Sequence, residues 1–392
     1  MRILYLSNKP LYPTVDGGCK AMVQMLKCLM ACEYSIDHVA LSTAKHPFNV
    51  NCYPEEIRCK IRVQHIFLET QVNPVAALKA LLSGKSYNIS RFDFSLAHDK
   101  MRELLSSKEY DIVFLESLYT TPYIKTIRAC SKAKIILRTH NVEHALWEQR
   151  SRAQKPGLKK WYLSKLARDL KKYELEAIRS VDKVLSLSSS DAKFFETVLT
   201  KEKVSVVPVS LEQQTIKASY HSNAVFYLGS MNWHPNYQAA NILVNKIFPE
   251  IRSALPDTTL HLAGSFMSER FPTNSENGIF NHGYVEDINQ FMTSSGIMVL
   301  PIRSGSGIRI KILEAMALGI PIVTFPEGAQ GIETADGLIV VTNEEEMISS
   351  LIDLLQNENE RLKLGDSARK YVQSQLSHTQ ITTQLRHELS NL

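Results

Sequence analysis

Short apolar runs alternate with longer segments of helical period along almost the whole chain. The runs Arg2–Ser7, His38–Ser42, Val63–Phe67, Ile112–Leu115, Lys134–Leu137, Lys183–Leu187 and Val204–Val207 read as buried strands. Between them, apolar residues recurring every three or four positions predict helices, notably over Gly18–Met30 and Leu158–Arg179. The tract Glu212–Asn223 is mostly polar, has no period and reads as a linker. The alternation then restarts. It predicts strands at Ala224–Leu228, Thr259–Ala263, Ile297–Leu300, Ile322–Thr324 and Gly337–Val341, and helices at Tyr237–Leu255, Gly307–Leu318, Glu344–Leu355 and Asn359–Gln375. Strand–helix alternation of this kind predicts the α/β class, with parallel, doubly wound sheets. The break divides the chain into a domain over 1–215 and a second over 216–375, with a last helix at about 376–392 expected to pack back on the first. Two such domains can turn the carboxyl ends of their strands toward a shared cleft, where open α/β sheets bind ligands.

The length of 392 residues gives each of two domains a core of its own. Hydrophobic residues at 44% and charged residues at 22% are those of a soluble globular protein. No stretch of about 18 apolar residues is present, so no membrane-spanning helix is expected. The apolar start is too short for a signal peptide. All six cysteines lie in the first third and none forms a C-x-x-C pair, which fits buried small residues in a reducing cytoplasm. A net charge of +5 is too mild to imply nucleic acid. Its distribution says more: Arg150 to Lys172 holds nine Lys or Arg and one Asp, interleaved with Trp161, Tyr162, Leu163, Leu166 and Leu170. Such a basic amphipathic segment is either a solvated helix face or a peripheral membrane contact.

The segment from Arg303 to Pro321 carries the richest chemistry. It leaves a strand and enters a helix. Gly305 and Gly307 let backbone approach a ligand, and the N–H groups of the helix start favour a phosphate. Ser304, Ser306, Ile308 and Ile310 complete that turn. Arg309 and Lys311 put cations where the helix dipole disfavours them, which an anionic partner explains. Glu314 follows, placed to accept from two ribose hydroxyls. Gly17 and Gly18 follow the first strand and open a helix, a turn that permits an unusual backbone close to a phosphate. His140, in Thr139-His140-Asn141, sits at a strand end, where an imidazole can hold a sugar or stabilise developing charge. Glu116, also at a strand end, can bind acceptor hydroxyls or cap a helix. Gly229, Ser230 and Asn232 lie in the loop after Leu228, where Trp233 reads as a packing residue. The backbone after Glu327 and Gly328 can hold the donor sugar or phosphates. No D-x-D follows a strand and no H-E-x-x-H occurs, so no metal is implied.

On Gly17-Gly18, Thr139-His140-Asn141 and above all Leu313-Glu314-Ala-Met-Ala-Leu-Gly-Ile-Pro, nearly the whole chain resembles the retaining glycosyltransferases of family 4, group 1 enzymes with the GT-B fold. The resemblance implies transfer of a sugar from a nucleotide-sugar donor, without a metal or other cofactor, to a glycan or lipid-linked acceptor. It implies a cytoplasmic enzyme of polysaccharide or glycoconjugate synthesis, with the membrane's inner face as one place of work. Glu314 matches the family's ribose-binding glutamate and His140 its cleft histidine, with Asn141 beside it toward the acceptor. Gly283 and Tyr284, in Phe280–Val285, resemble the family's strand end at the nucleotide base. Two departures stand out. Ser306 falls where the family has a glutamate contacting the donor sugar, a loss that Glu327 can partly replace. The Arg and Lys that hold the diphosphate after the first strand of the second domain are absent from Leu228–Asn236, and Arg309 and Lys311 are expected to take over. Two rivals remain: a nucleotide-sugar epimerase, and an idle GT-B subunit that partners a true transferase.

Overall fold

The computed structural model describes residues 1–212, 223–305, 307–332 and 337–392. Ser306 and nearly all of the linker tract therefore lie outside the described residues. The chain forms two compact units, Met1–Ser210 with Ile381–Leu392, and Leu211–Gln380.

The first unit is built on β1 (Arg2–Ser7), β2 (Ser35–Ser42), β3 (Arg62–Phe67), β4 (Ile112–Glu116), β5 (Lys134–Thr139), β6 (Lys183–Ser186) and β7 (Val204–Val206). They pair in the order β3-β2-β1-β4-β5-β6-β7, every pair parallel. Strands such as β4, buried at all five positions, need cover on both faces. One cover is helix Gly17–Ala31, whose Met22, Leu26 and Leu29 pack on Ile3, Tyr5 and Phe114. Ile381, Leu385 and Leu389, four residues apart on the last helix, His378–Ser390, join the same cluster.

The second unit repeats the plan with β8 (Ala224–Leu228), β9 (Thr259–Ala263), β10 (Ile279–Gly283), β11 (Ile297–Leu300), β12 (Ile322–Thr324) and β13 (Ile339–Val340), in the order β10-β9-β8-β11-β12-β13 and again parallel. Both sheets thus reverse direction of growth beside their first strand: between β1 and β4, and between β8 and β11. At such switch points neighbouring loops diverge and leave a crevice. Glu116 ends β4, and the loops after Leu228 and Leu300 flank the second switch point.

The α/β class and the two parallel sheets are as the alternation predicts. Hydrophobic pattern alone missed β10, an edge strand whose residues after Ile279 are only half-buried or exposed. The predicted helix Tyr237–Leu255 is divided: His234–Ile242 passes through a wide turn over Leu243–Ile247 into Phe248–Ala254. Pro249 has no N–H to continue an α-helical ladder, and the wide turn absorbs the gap. The helix after Arg303 starts at Ile310 rather than Gly307, because Gly305 (φ +96°) and Gly307 (φ +84°) are left-handed. Among the described residues no helix is long and apolar enough to cross a membrane.

Candidate functional site

In the first unit, the carboxyl ends of β1, β4 and β5 bring Ser7, Glu116 and Arg138 into register as neighbours. The Glu116 and Arg138 side chains are wholly buried and form an ion pair, with Arg138 Nη1 donating to Glu116 Oε1 at 3.0 Å. The same oxygen accepts from the Tyr5 hydroxyl at 2.7 Å, and Oε2 lies 2.8 Å from His140 Nε2. Burial pushes the Glu116 carboxyl up, but Arg138, His140 and Tyr5 outweigh it and hold it below the usual carboxylate range. Arg138 Nη1 also donates to the carbonyl of Ala21, and Tyr5 to that of Met22, which ties the network to helix Gly17–Ala31. Glu116 therefore orients His140 and anchors a helix; its two oxygens are already engaged, so it is not poised to bind acceptor hydroxyls.

At the start of that helix, neither Gly17 nor Gly18 is left-handed, contrary to the unusual backbone expected of them. Asp16 caps the helix, accepting from the Cys19 N–H at 2.8 Å, and its carboxylate pairs with Lys9. Burial raises the Asp16 carboxyl less than Lys9 and the cap lower it, so it stays ionised. The anion-binding end of the helix thus holds an anion of its own.

Behind His140, the Glu174 carboxylate accepts from the backbone N–H groups of Glu143 and His144 and bonds His144 Nδ1 at 2.7 Å. His144 is consequently a buried structural residue. Burial and then the charge of Glu174 lift the Glu143 carboxyl to about 7, with the Tyr119 hydroxyl donating to it at 3.1 Å. Tyr119 and Trp147 line a cavity of about 650 Å³ beyond the carboxyl ends of β1, β2 and β3, together with Lys9, Lys45, His46 and Arg91. Asn88 reaches the same cavity with a buried amide nitrogen that has no hydrogen-bond partner among the described residues. The sequence reading missed this cavity, because its residues come from loops without a shared motif.

In the second unit, the loops after β8 and β11 converge. Lys311 Nζ donates to the Leu228 carbonyl at 2.7 Å and lies 3.3 Å from Asn236 Oδ1. Asn236 is buried, accepts from the Tyr227 hydroxyl at 3.0 Å and donates to the Ser230 carbonyl at 3.0 Å. Arg309 stacks its guanidinium over Trp233 at 5.1 Å and donates to the Gly307 carbonyl at 3.0 Å. Gly305 lies tight against this stack, where an added Cβ would come within 2.8 Å of the indole. Tyr227 and Asn236 are functional neighbours that sequence reasoning passed over. The one available signal was a polar pair flanking the glycine loop of an otherwise apolar strand.

Burial, and secondarily Arg309, pull the Lys311 ammonium down to about 7. Helix Ile310–Leu318 begins at Arg309 with no side-chain cap bond. Two cations therefore stand at the positive end of a helix, an arrangement that an anion stabilises. Glu314 follows Lys311 by three residues, on the same helix face and half-buried. Ser304 contributes its carbonyl to Arg309, and Ile310 turns its side chain inward.

Other expected backbone contacts are already engaged. The Gly229 N–H donates to Ala263, that of Gly283 to the Asn281 side chain, and those of Gly328 and Ala329 to Phe325. What these loops offer a ligand is the exposed Asn232 and Tyr284 side chains and half-buried Ser230, Ile308 and Glu327. Among the described residues, no group of three or more His, Cys, Asp or Glu stands close enough to hold a metal.

Residues 222–357 match the protein family described as glycosyl transferases group 1. The second unit is a group 1 glycosyltransferase domain. The whole chain is 22% identical, over 95% of both sequences, to an uncharacterised 44.6 kDa protein in the cps region of Klebsiella pneumoniae. It is 24% identical to an uncharacterised glycosyltransferase of Haemophilus influenzae, over 72% of this chain and 79% of that one. Among solved structures it resembles Anabaena HepE in complex with UDP and glucose, with a TM-score of 0.66 at 14% identity over the full length of both chains. The fold is that of the GT-B glycosyltransferases, and the group 1 family match lies within the second unit.

Proposed function

We propose that the protein is a retaining, metal-independent transferase that moves a sugar from a nucleoside-diphosphate donor to a glycan or lipid-linked acceptor in polysaccharide synthesis. The observation that carries this reading is the pairing of Arg309 and Lys311 at an uncapped helix start. Lys311 reaches the Leu228 carbonyl, the strand end where the sequence lacks the family's usual cations. Positive charge thus reaches that strand end from the opposite loop. In this reading the two cations hold the diphosphate and Glu314 holds the ribose. The bond from the sugar's anomeric carbon to the diphosphate breaks as the acceptor oxygen bonds to the same face of that carbon. The leaving phosphate oxygen takes the acceptor's proton, and its growing charge is stabilised by Arg309 and Lys311. His140, held by Glu116, orients the sugar, and the cavity beside Tyr119 and Trp147 takes the acceptor. HepE's ligand makes UDP-sugars the first donors to try, and the cps-region relative supports a polysaccharide product.

The test is thermal stability against UDP-, GDP-, ADP- and CMP-sugars without added metal. A selective shift that disappears in Glu314→Ala is expected. No shift with any donor would favour an idle subunit, and conversion of donor without acceptor would favour an epimerase.

A further inference from the structure

Helix Pro74–Ser83 is apolar on both faces. Ala77 and Ala80 pack inward, in one cluster with Tyr87, Leu166, Tyr162 and Leu163 that joins this helix to helix Leu158–Arg179. The opposite face, Val75, Leu78 and Leu82 at helical spacing, lies open, with Leu82 80% exposed. The neighbouring helix adds two more apolar side chains at its start, Leu158 at 87% and Trp161 at 58% exposure. Soluble proteins seldom leave such a group uncovered. The surrounding charge has one sign. No Asp or Glu occurs from Thr70 to Phe92 or from Gln149 to Arg168, while Lys79, Lys85, Lys155 and Lys159 are exposed there.

We infer that helix Pro74–Ser83 and the first turn of helix Leu158–Arg179 together form a docking surface for an anionic lipid bilayer. Apolar side chains ringed by lysine are what an interfacial segment presents to acyl chains and anionic headgroups. A second copy of the chain is disfavoured, because it would bring lysines against lysines. The basic stretch alone does not make this surface. Its apolar centre comes from a helix some eighty residues earlier, packed beside it.

The experiment is co-sedimentation of the full chain with vesicles of phosphatidylglycerol and phosphatidylcholine, against phosphatidylcholine alone. Binding to the anionic vesicles only, weakened by salt, is expected. Leu78→Ser with Leu82→Ser should weaken it about a hundred-fold or more, and Lys155→Ala with Lys159→Ala about thirty-fold. The exposed pair Lys363→Ala with Lys370→Ala, in the other unit, makes the same charge change and should leave binding as it was. Each variant is first shown to keep the wild-type melting midpoint. Absence of wild-type binding to anionic vesicles overturns the inference, as does full binding by the serine variant. Self-association that the serine variant abolishes, without vesicle binding, would assign the face to a second copy instead.

Discussion

The two units carry the same sheet plan, yet they treat charge at their switch points in opposite ways. In the first, every charge is answered from within: Glu116 by Arg138, Asp16 by Lys9 and by the helix it caps. In the second, Arg309 and Lys311 crowd the positive end of a helix that has no side-chain cap, and burial, then Arg309, pull the Lys311 ammonium down to about 7. A network of paired charges is a rigid fixture. Like charge gathered at the positive end of a helix is stabilised by an anion. The first unit thus holds a histidine still, and the second gathers positive charge at a helix start.

The largest test of that contrast removes the acid from the buried ion pair. Glu116→Ala leaves Arg138 buried and uncompensated and should cost about 3–5 kcal/mol of stability, read by denaturant unfolding. A cost under about 1 kcal/mol would mean the network is not closed. Arg309→Ala should act on the ligand instead, weakening donor binding about 10- to 150-fold, as loss of a charge-assisted bond of about 1.5–3 kcal/mol does. Asp16→Ala is its control: calorimetry should show donor affinity unchanged while stability falls by about 1 kcal/mol. The smallest effect is with pH. Bound diphosphate raises the Lys311 pKa above its free value of about 7. The favourable contribution is then complete below pH 7 and falls above it, by up to about ten-fold in affinity per unit, until the pKa of the complex is passed. Lys311→Gln should bind more weakly and lose that dependence; a slope retained in the variant would assign it to another group.

Much of this was legible in the sequence. Strand–helix alternation reports burial on two faces, so the sheets and the polar break between them could be read directly. Arg309, Lys311 and Glu314 were visible because cations at a helix start conflict with its dipole. Their neighbours Tyr227 and Asn236 were not, since a tyrosine in an apolar strand looks like core until its hydroxyl is seen to have a partner. Glu116 looked like a ligand group because the sequence does not show that Arg138, on the next strand, faces it. The cavity of the first unit escaped for a different reason. Lys9, Lys45, Arg91 and Trp147 lie far apart along the chain and only the sheet order gathers them. The glycines at 17 and 18 suggested special backbone where ordinary helical geometry suffices.

The backbone of Gly264, at φ +137°, passes so close to Gly229 that an added Cβ would fall 2.1 Å from its carbonyl oxygen. The three atoms nearest that position are all backbone of Gly229, and the Gly264 N–H is bonded to the Gly283 carbonyl. Three strand ends are thereby joined through main chain. The loop that follows, with Asn232 at its exposed tip, is free to drift in sequence while its root is not. Variation would accumulate at that tip, above a root whose main chain leaves no room for a side chain.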